Sequence, residues 1–375
     1  MGKIVKNPTI GILGGGQLGR MLSVAASRLG YDCHIFDPNK NSPASKISTF
    51  YTQANFDDFD ALTLFAKSVD IVTYEFENIP TTALDAIEKY VKICPNRDAL
   101  FTSQDRMIEK QFLTNLGLKT APFANVENRQ DLNDAIAKIG TPSILKTRRL
   151  GYDGKGQARI NSDTDLATIL DQFNEQPCIL EGFINFNLEI SIIGARDKNG
   201  SVSCYDPGEN YHENGILKTT TVPAKITQQM MTDAVLLTGK IMNKLDYVGV
   251  IGVELFVSKN GLIVNEIAPR VHNSGHWTQN GCIVDQFEQH IRAITGLQLG
   301  DGTRHSDVKM TNILGADITK LDNFINNGKS ALHLYGKETI KSGRKMGHIN
   351  EIYYCLLYTS PSPRDATLSR MPSSA

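Results

Sequence analysis

The stretch GVELFVSKNGLIVNEIAPRVHNSGH, Gly252 to His276, decides how the rest of the chain is read. Val253, Leu255 and Val257 alternate with Glu254 and Phe256, the period-two pattern of a half-buried strand. Asn260-Gly261 marks a turn, and Leu262-Ile263-Val264 begins the return strand. Glu254 and Glu266 interrupt this apolar hairpin. A buried charge without a partner is costly, so two acids here ask for a cation between them. A two-residue Asn-Gly turn would set Glu266 opposite Leu255, on the wrong face. A three-residue turn, Lys259-Asn260-Gly261 with Gly261 left-handed as a bulge, sets Glu254 opposite Glu266 with side chains roughly 5 Å apart. The bulged turn is expected. Two oxygen ligands so placed suit Mg2+, shared with the phosphates of a nucleotide.

The loop that follows, Pro269 to His276, is dense in polar groups. Arg270 can hold a phosphate or carboxylate as a fork. His272 and His276 can transfer protons or simply hydrogen-bond. With no Cys or third His close in sequence, the two are not expected to bind metal.

A chain of 375 residues accommodates two or three domains and a sizeable core. Its 41% hydrophobic and 21% charged residues are ordinary for a soluble globular protein. A net charge of −1 gives no field pointing to nucleic acid or an anionic membrane. The cysteines are scattered, with no C-x-x-C, which fits a reducing cytoplasm. No signal peptide or membrane span is expected.

Thr9 to Leu13 reads as a strand, followed by the glycine turn Gly14-Gly15-Gly16-Gln17-Leu18-Gly19, a helix, and a second strand ending at Asp37. This βαβ opening resembles a dinucleotide fingerprint, but such a turn can serve any phosphate or mere close packing, and no NAD is expected. Glu75 ends another strand, where open α/β sheets bind ligands. Val91 to Cys94 reads as a closing strand, and Asp105 to Leu116 as a helix carrying Arg106 and Lys110. Ser143 to Thr147 is a strand with Lys146 inside it. The loop after it holds Gly151, Gly154, Gly156 and Lys155, whose amides and charge suit phosphates, though it is not a P-loop. Cys178 to Ile184 and Leu188 to Ile193 are further strands, carrying Glu181 and Glu189. Asp206 to Leu217 reads as a turn-rich loop, and Gly343 to His348 as a basic turn. From Cys355 to Ala375 the chain is Ser/Pro-rich without apolar period and reads as a non-native, disordered tail.

Taken together, GGGQLGRM, YEFENIP, GYDGKGQ, NEIAPRVHNSGH and GRKMGH, in this order, resemble the N5-carboxyaminoimidazole ribonucleotide synthetase family of the ATP-grasp superfamily, over residues 9 to about 350. The resemblance implies an α/β, α+β ATP-grasp fold. A Rossmann-like parallel-sheet domain would span 1–100, and an ATP-grasp domain 101–299 with a mobile lid over about 120–185. A small β-rich domain would span 300–354. It implies ATP- and bicarbonate-dependent carboxylation of 5-aminoimidazole ribonucleotide through carboxyphosphate, with ADP and phosphate released, in purine biosynthesis. Biotin plays no part in such a reaction, and a homodimer is implied.

The resemblance also assigns residues. Glu254 and Glu266 would hold Mg2+, with Mn2+ as an alternative. ATP would meet Arg106, Lys146, Gly151, Tyr152, Asp153, Gly154, Lys155, Gly156, Gln157, Glu181, Gly182, Phe183, Ile184, Glu189, His212, Asn265 and Glu266. The ribonucleotide would meet Gln17, Leu18, Glu75, Tyr152, His272, Asn273 and Ser274, with Lys337 and Arg344 at its 5′-phosphate. Asp153, Lys155, Arg270 and His272 would act in the chemistry. Other ATP-grasp ligases on phosphorylated substrates, or an ATP-binding module inactivated by its altered C-terminus, are the alternatives.

Overall fold

The computed structural model describes residues 7–151, 156–174, 176–325 and 328–353. Three sheets organise them. The first holds β1 (Thr9–Leu13), β2 (Asp32–Asp37), β3 (Phe50–Gln53) and β4 (Ile71–Tyr74) in the order β3-β2-β1-β4, all parallel. β1 is buried at every position, as a strand that is apolar after Thr9 and covered on both faces should be. The expected strand Val91–Cys94 is only a single bridge from Ile93 to Val72, because Pro95 has no N–H to prolong the pairing.

The second sheet is antiparallel: β5 (Phe123–Val126), β6 (Ser143–Thr147), β7 (Gln157–Ile160) and β8 (Cys178–Gly182), in the order β5-β8-β6-β7. Its own small core joins Val126, Leu145, Ile160 and Leu180 to Leu132 and Ala135 of the helix Arg129–Ile139. Along β6, Ser143, Leu145 and Thr147 are buried, while Ile144 and Lys146 turn the other way.

The third sheet has nine strands: β9 (Leu188–Arg196), β10 (Val202–Cys204), β11 (Gly208–Glu213), β12 (Ile216–Val222), β13 (Gly249–Ser258), β14 (Gly261–Ala268), β15 (Asp307–Leu314), β16 (Ser330–Leu334) and β17 (Lys345–Tyr353). The order is β14-β13-β9-β11-β12-β15-β17-β16, with β10 also on β9. The last three strands, β15 to β17, therefore extend the same sheet through the β12–β15 pairing. Two expectations are corrected here. The supposed loop from Asp206 to Leu217 is largely the β11–β12 hairpin, turned at Asn214 and Gly215, both with positive φ. The supposed basic turn ends early, because β17 begins at Lys345 and buries His348 completely.

Val253, Leu255 and Val257 of β13 pack in a core with Ala234, Ile241 and Met242 of the helix Gln228–Lys244. Glu254 and Phe256 face away from it. Glu254 lies directly opposite Glu266, as expected, but the turn that achieves this is different. Ser258 pairs with Gly261 across a two-residue turn, Lys259-Asn260, and the extra residue is Asn265, bulged between Val264 and Glu266. The bulge is held from outside the hairpin: Lys110 donates to the Asn265 carbonyl, and Glu109 accepts from the Ile267 N–H. Tertiary contacts, rather than the turn, set the register.

Buried His290 joins the first and third sheets. Its Nδ1 accepts from the Val250 N–H at 3.1 Å, and its Nε2 bonds to Thr73 Oγ1 at 2.8 Å. Burial pushes its pKa down from 6.5 to about 3. The folded ring therefore resists a proton that the unfolded chain takes up, so stability falls as pH drops from about 6.5 toward 3. Thermal melts over this range should show that loss, and His290→Gln should flatten it.

Candidate active site

A cleft of about 590 Å³ opens where the three sheets meet. Its floor is one row of the third sheet. Ser191 of β9 pairs with Glu254 of β13, which pairs with Glu266 of β14. Two carboxylates so opposed resist joint ionisation. Burial, then the charge of Glu266, push the Glu254 pKa up to about 8. Buried Glu109 beneath them is also raised to about 8, by burial and then by Glu266. The donor set is all oxygen and electron-rich, which fits a hard divalent cation. Gly252, one step along the same face, lets His272 lie against the sheet, since a Cβ there would sit 2.7 Å from the His272 Cβ.

One wall is cationic. Lys146 Nζ lies 3.0 Å from Glu181 Oε2, and Lys110 Nζ reaches the same oxygen at 3.5 Å. Burial alone would raise the Glu181 pKa, but Lys110 and Lys146 outweigh it and hold it low. Lys110 is only 1% exposed, so this lysine is an interior strut between β8 and the Asn265 bulge. Arg106 Nη2 lies 3.9 Å from Glu266 and donates to the Gly151 carbonyl. Gly151, Gln157, Glu189, His212, Asn265 and Glu266 line the cleft beside Arg106 and Lys146. Gly156 closes the turn by accepting from the Thr147 N–H. Glu181 is buried, Gly182 and Ile184 are half-buried, and exposed Phe183 lies under the Arg159 guanidinium. His212 Nδ1 and Glu189 Oε2 are 2.6 Å apart. Burial works against a charged His212, but Glu189 and Glu254 outweigh it and raise its pKa above 6.5. Tyr152, Asp153, Gly154 and Lys155 lie outside the described residues.

The facing wall comes from the first sheet, the Pro269–His276 loop and the start of β17. Gln17, Leu18, Glu75, Glu77, Arg270, His272, Asn273 and Lys345 line it. Glu75 accepts from the backbone N–H groups of Gly16, Leu18 and Gly19, and Asp37 from that of Gly15. The anion-binding amides of the glycine turn are thus taken by the protein's own carboxylates. Arg270 pairs with Glu77 at 2.9 Å. Burial, then the Arg270 charge, hold His272 well below 6.5, so its ring is neutral. Ser274 is buried beneath it. Lys337 donates to the Lys345 carbonyl, while Arg344 turns to the carbonyl and hydroxyl of Thr339. Sequence reasoning missed Glu77, Glu109, Lys110 and Lys345 as site groups. Two of them carried a local signal: Lys345, as the neighbour of Arg344 in GRKMGH, and Glu77, two residues from Glu75 in YEFENIP.

Known proteins match this arrangement in three blocks: a ribonucleotide synthetase preATP-grasp domain over residues 7–104, an ATP-grasp domain over 111–287, and a phosphoribosylaminoimidazole carboxylase C-terminal domain over 309–353. The N5-carboxyaminoimidazole ribonucleotide synthase of Brucella melitensis is 48% identical over 347 residues, covering 92% of this chain and 96% of the relative. The chain belongs to the N5-carboxyaminoimidazole ribonucleotide synthase family. Within the family, the ADP-complexed N5-carboxyaminoimidazole synthetase of Staphylococcus aureus superposes with a TM-score of 0.89 at 36% identity, over 98% of both chains. The Aspergillus clavatus N5-carboxyaminoimidazole synthase, complexed with ADP and 5-aminoimidazole ribonucleotide, gives 0.88 at 31% identity, over 94% of this chain and 95% of that one.

In this member of the synthase family, Lys110 joins the cation wall to the floor. Lys110→Met leaves the Asn265 carbonyl without its donor and Glu181 with one lysine fewer. It should cost roughly 3 kcal/mol of stability, read by guanidinium unfolding against the parent chain.

Proposed function

We propose that this chain carboxylates 5-aminoimidazole ribonucleotide at its exocyclic amine, using ATP and bicarbonate and releasing ADP and phosphate. The observation that carries this reading is one cleft with an acidic floor between two cation-bearing walls. Such a site accommodates two anionic substrates side by side over one metal. ATP lies against the β6 side, with Lys146 and Arg106 at its phosphates and Glu189 with His212 at its ribose. Glu254 and Glu266 hold Mg2+, or Mn2+, which supplies charge neutralisation at the phosphates.

Bicarbonate takes the transferred phosphoryl group, and the resulting carboxyphosphate delivers its carboxyl to the amine. Arg270, His272 and Asn273 surround the place where these anions meet, and Lys345 stands beside them. Lys337 and Arg344 serve the 5′-phosphate from the rim. The sheet β5 to β8, with a core of its own, acts as the lid over about residues 120–185 and excludes water from the acyl phosphate. Tyr152, Asp153 and Lys155 take part in the chemistry there. The enzyme works as a cytoplasmic homodimer. Among the described residues, no helix is long and apolar enough to cross a membrane.

The test is ADP release with Mg-ATP and bicarbonate, with and without the ribonucleotide. Stimulation by the ribonucleotide is expected, and its absence with ATP still bound would overturn the reading. Glu266→Gln should lower the stimulated rate by about 100-fold or more, and EDTA should abolish it in the parent chain.

A further inference from the structure

A hydrogen-bonded chain runs beneath the floor of the cleft, from Ser191 through Ser274 to His272. Ser191 is 2% exposed and stands beside Glu254 as its cross-strand partner. Its hydroxyl has one proton and two acceptors in reach: Ser274 Oγ at 2.6 Å and Asn210 Oδ1 at 3.5 Å. At 2.6 Å against 3.5 Å the Ser191 proton goes to Ser274, while Thr220 gives the Asn210 oxygen a donor at 2.9 Å. Ser274 Oγ, accepting from Ser191, is left with its own proton to give. It lies 2.8 Å from His272 Nδ1. The Ser274 backbone N–H reaches the same nitrogen at 3.4 Å.

A backbone N–H can only donate, so His272 Nδ1 is an acceptor and carries no proton. The single ring proton is then on Nε2, which lies 3.6 Å from Glu254 Oε1. Gln286 fixes the ring's backbone from behind: it accepts from the His272 N–H at 2.9 Å and donates to the His272 carbonyl at 2.7 Å.

We propose that Ser191 and Ser274 are positioning residues that hold His272 as its Nε2–H tautomer, so that His272 enters the reaction as a hydrogen-bond donor to an oxygen of the transferring carboxyl or phosphoryl group. Its resting form is then not the acceptor of the amine proton. The mechanistic half of this rests on the carboxylation proposed above; the tautomer does not.

The test is long-range proton–nitrogen NMR on the full chain labelled with 15N-histidine, the His272 signals being assigned by their loss in His272→Gln. A protonated Nε2 and a bare Nδ1 are expected, and a protonated Nδ1 would overturn the proposal without any variant. Ser274→Ala removes the donor at 2.8 Å and leaves Nδ1 only the backbone N–H at 3.4 Å, and Ser191→Ala frees the Ser274 hydroxyl to turn, so each should admit a share of the Nδ1–H tautomer. Each should also lower ribonucleotide-stimulated ADP release by about tenfold, the cost of one hydrogen bond, with the KM for ATP unchanged. A merely structural role would lower the melting temperature and leave the His272 nitrogen shifts in place, which would also overturn the proposal. If the parent chain shows the expected tautomer but no response to the ribonucleotide, the substrate assignment fails and the tautomer stands.

Discussion

Two carboxylates on adjacent strands, Glu254 and Glu266, impose the constraint around which the site is built. Burial, and after it the charge of Glu266, drive Glu254 to hold its proton near neutrality. The surrounding groups compensate from outside the hairpin. Arg106 approaches Glu266, His272 approaches Glu254, and His212 feels both acids while leaning on Glu189. None of these contacts is a close bidentate pair. The floor therefore keeps an unmet demand for positive charge, which a divalent cation brought in with nucleotide phosphates would answer. A floor fully neutralised by arginine would be more stable and would have no use for the metal.

The glycine turn illustrates the opposite solution. Its amides point at an anion, as in any strand-to-helix glycine turn, but the anions are Glu75 and Asp37. Gly16 is needed because a Cβ there would come within 2.4 Å of the Glu75 carboxylate. The turn thus locks the end of β4 to the start of the helix Gln17–Arg28. The dinucleotide-like spacing has a structural cause, and Gln17 and Leu18 still reach the cleft from it.

Much of this was legible along the sequence, and the failures share one cause. Alternation revealed β13 and the apolar face it buries, and the paired acids revealed the floor. Yet the register came from Lys110 and Glu109 gripping a bulge at Asn265, 155 residues from Lys110 along the chain. No turn rule contains that contact. Lys110 itself, next to Glu109 on a short helix of mixed charge, gives no local sign of being 1% exposed. The β11–β12 hairpin was masked by its polar residues, although Asn214-Gly215 is a strong turn signal. It is polar because His212 faces the cleft and buried Asn210 bonds to Thr220 and Ser191 beneath its floor. Function here overrode the hydrophobic pattern on which strand reading depends.

The same override explains why the floor is a sheet. Successive residues of a strand alternate faces, so Ser191, Glu254 and Glu266 can lie in one row while Ile192, Val253 and Ile267 pack into the core behind it. Each functional side chain is therefore backed by a buried apolar neighbour, and its position follows from the packing of that neighbour. Loops supply what must approach from above. The Pro269–His276 loop is pinned by Gln286 and by the close contact of His272 with Gly252. A group meant to distinguish one oxygen from another gains from such confinement, because a ring free to turn would offer either nitrogen and specify neither.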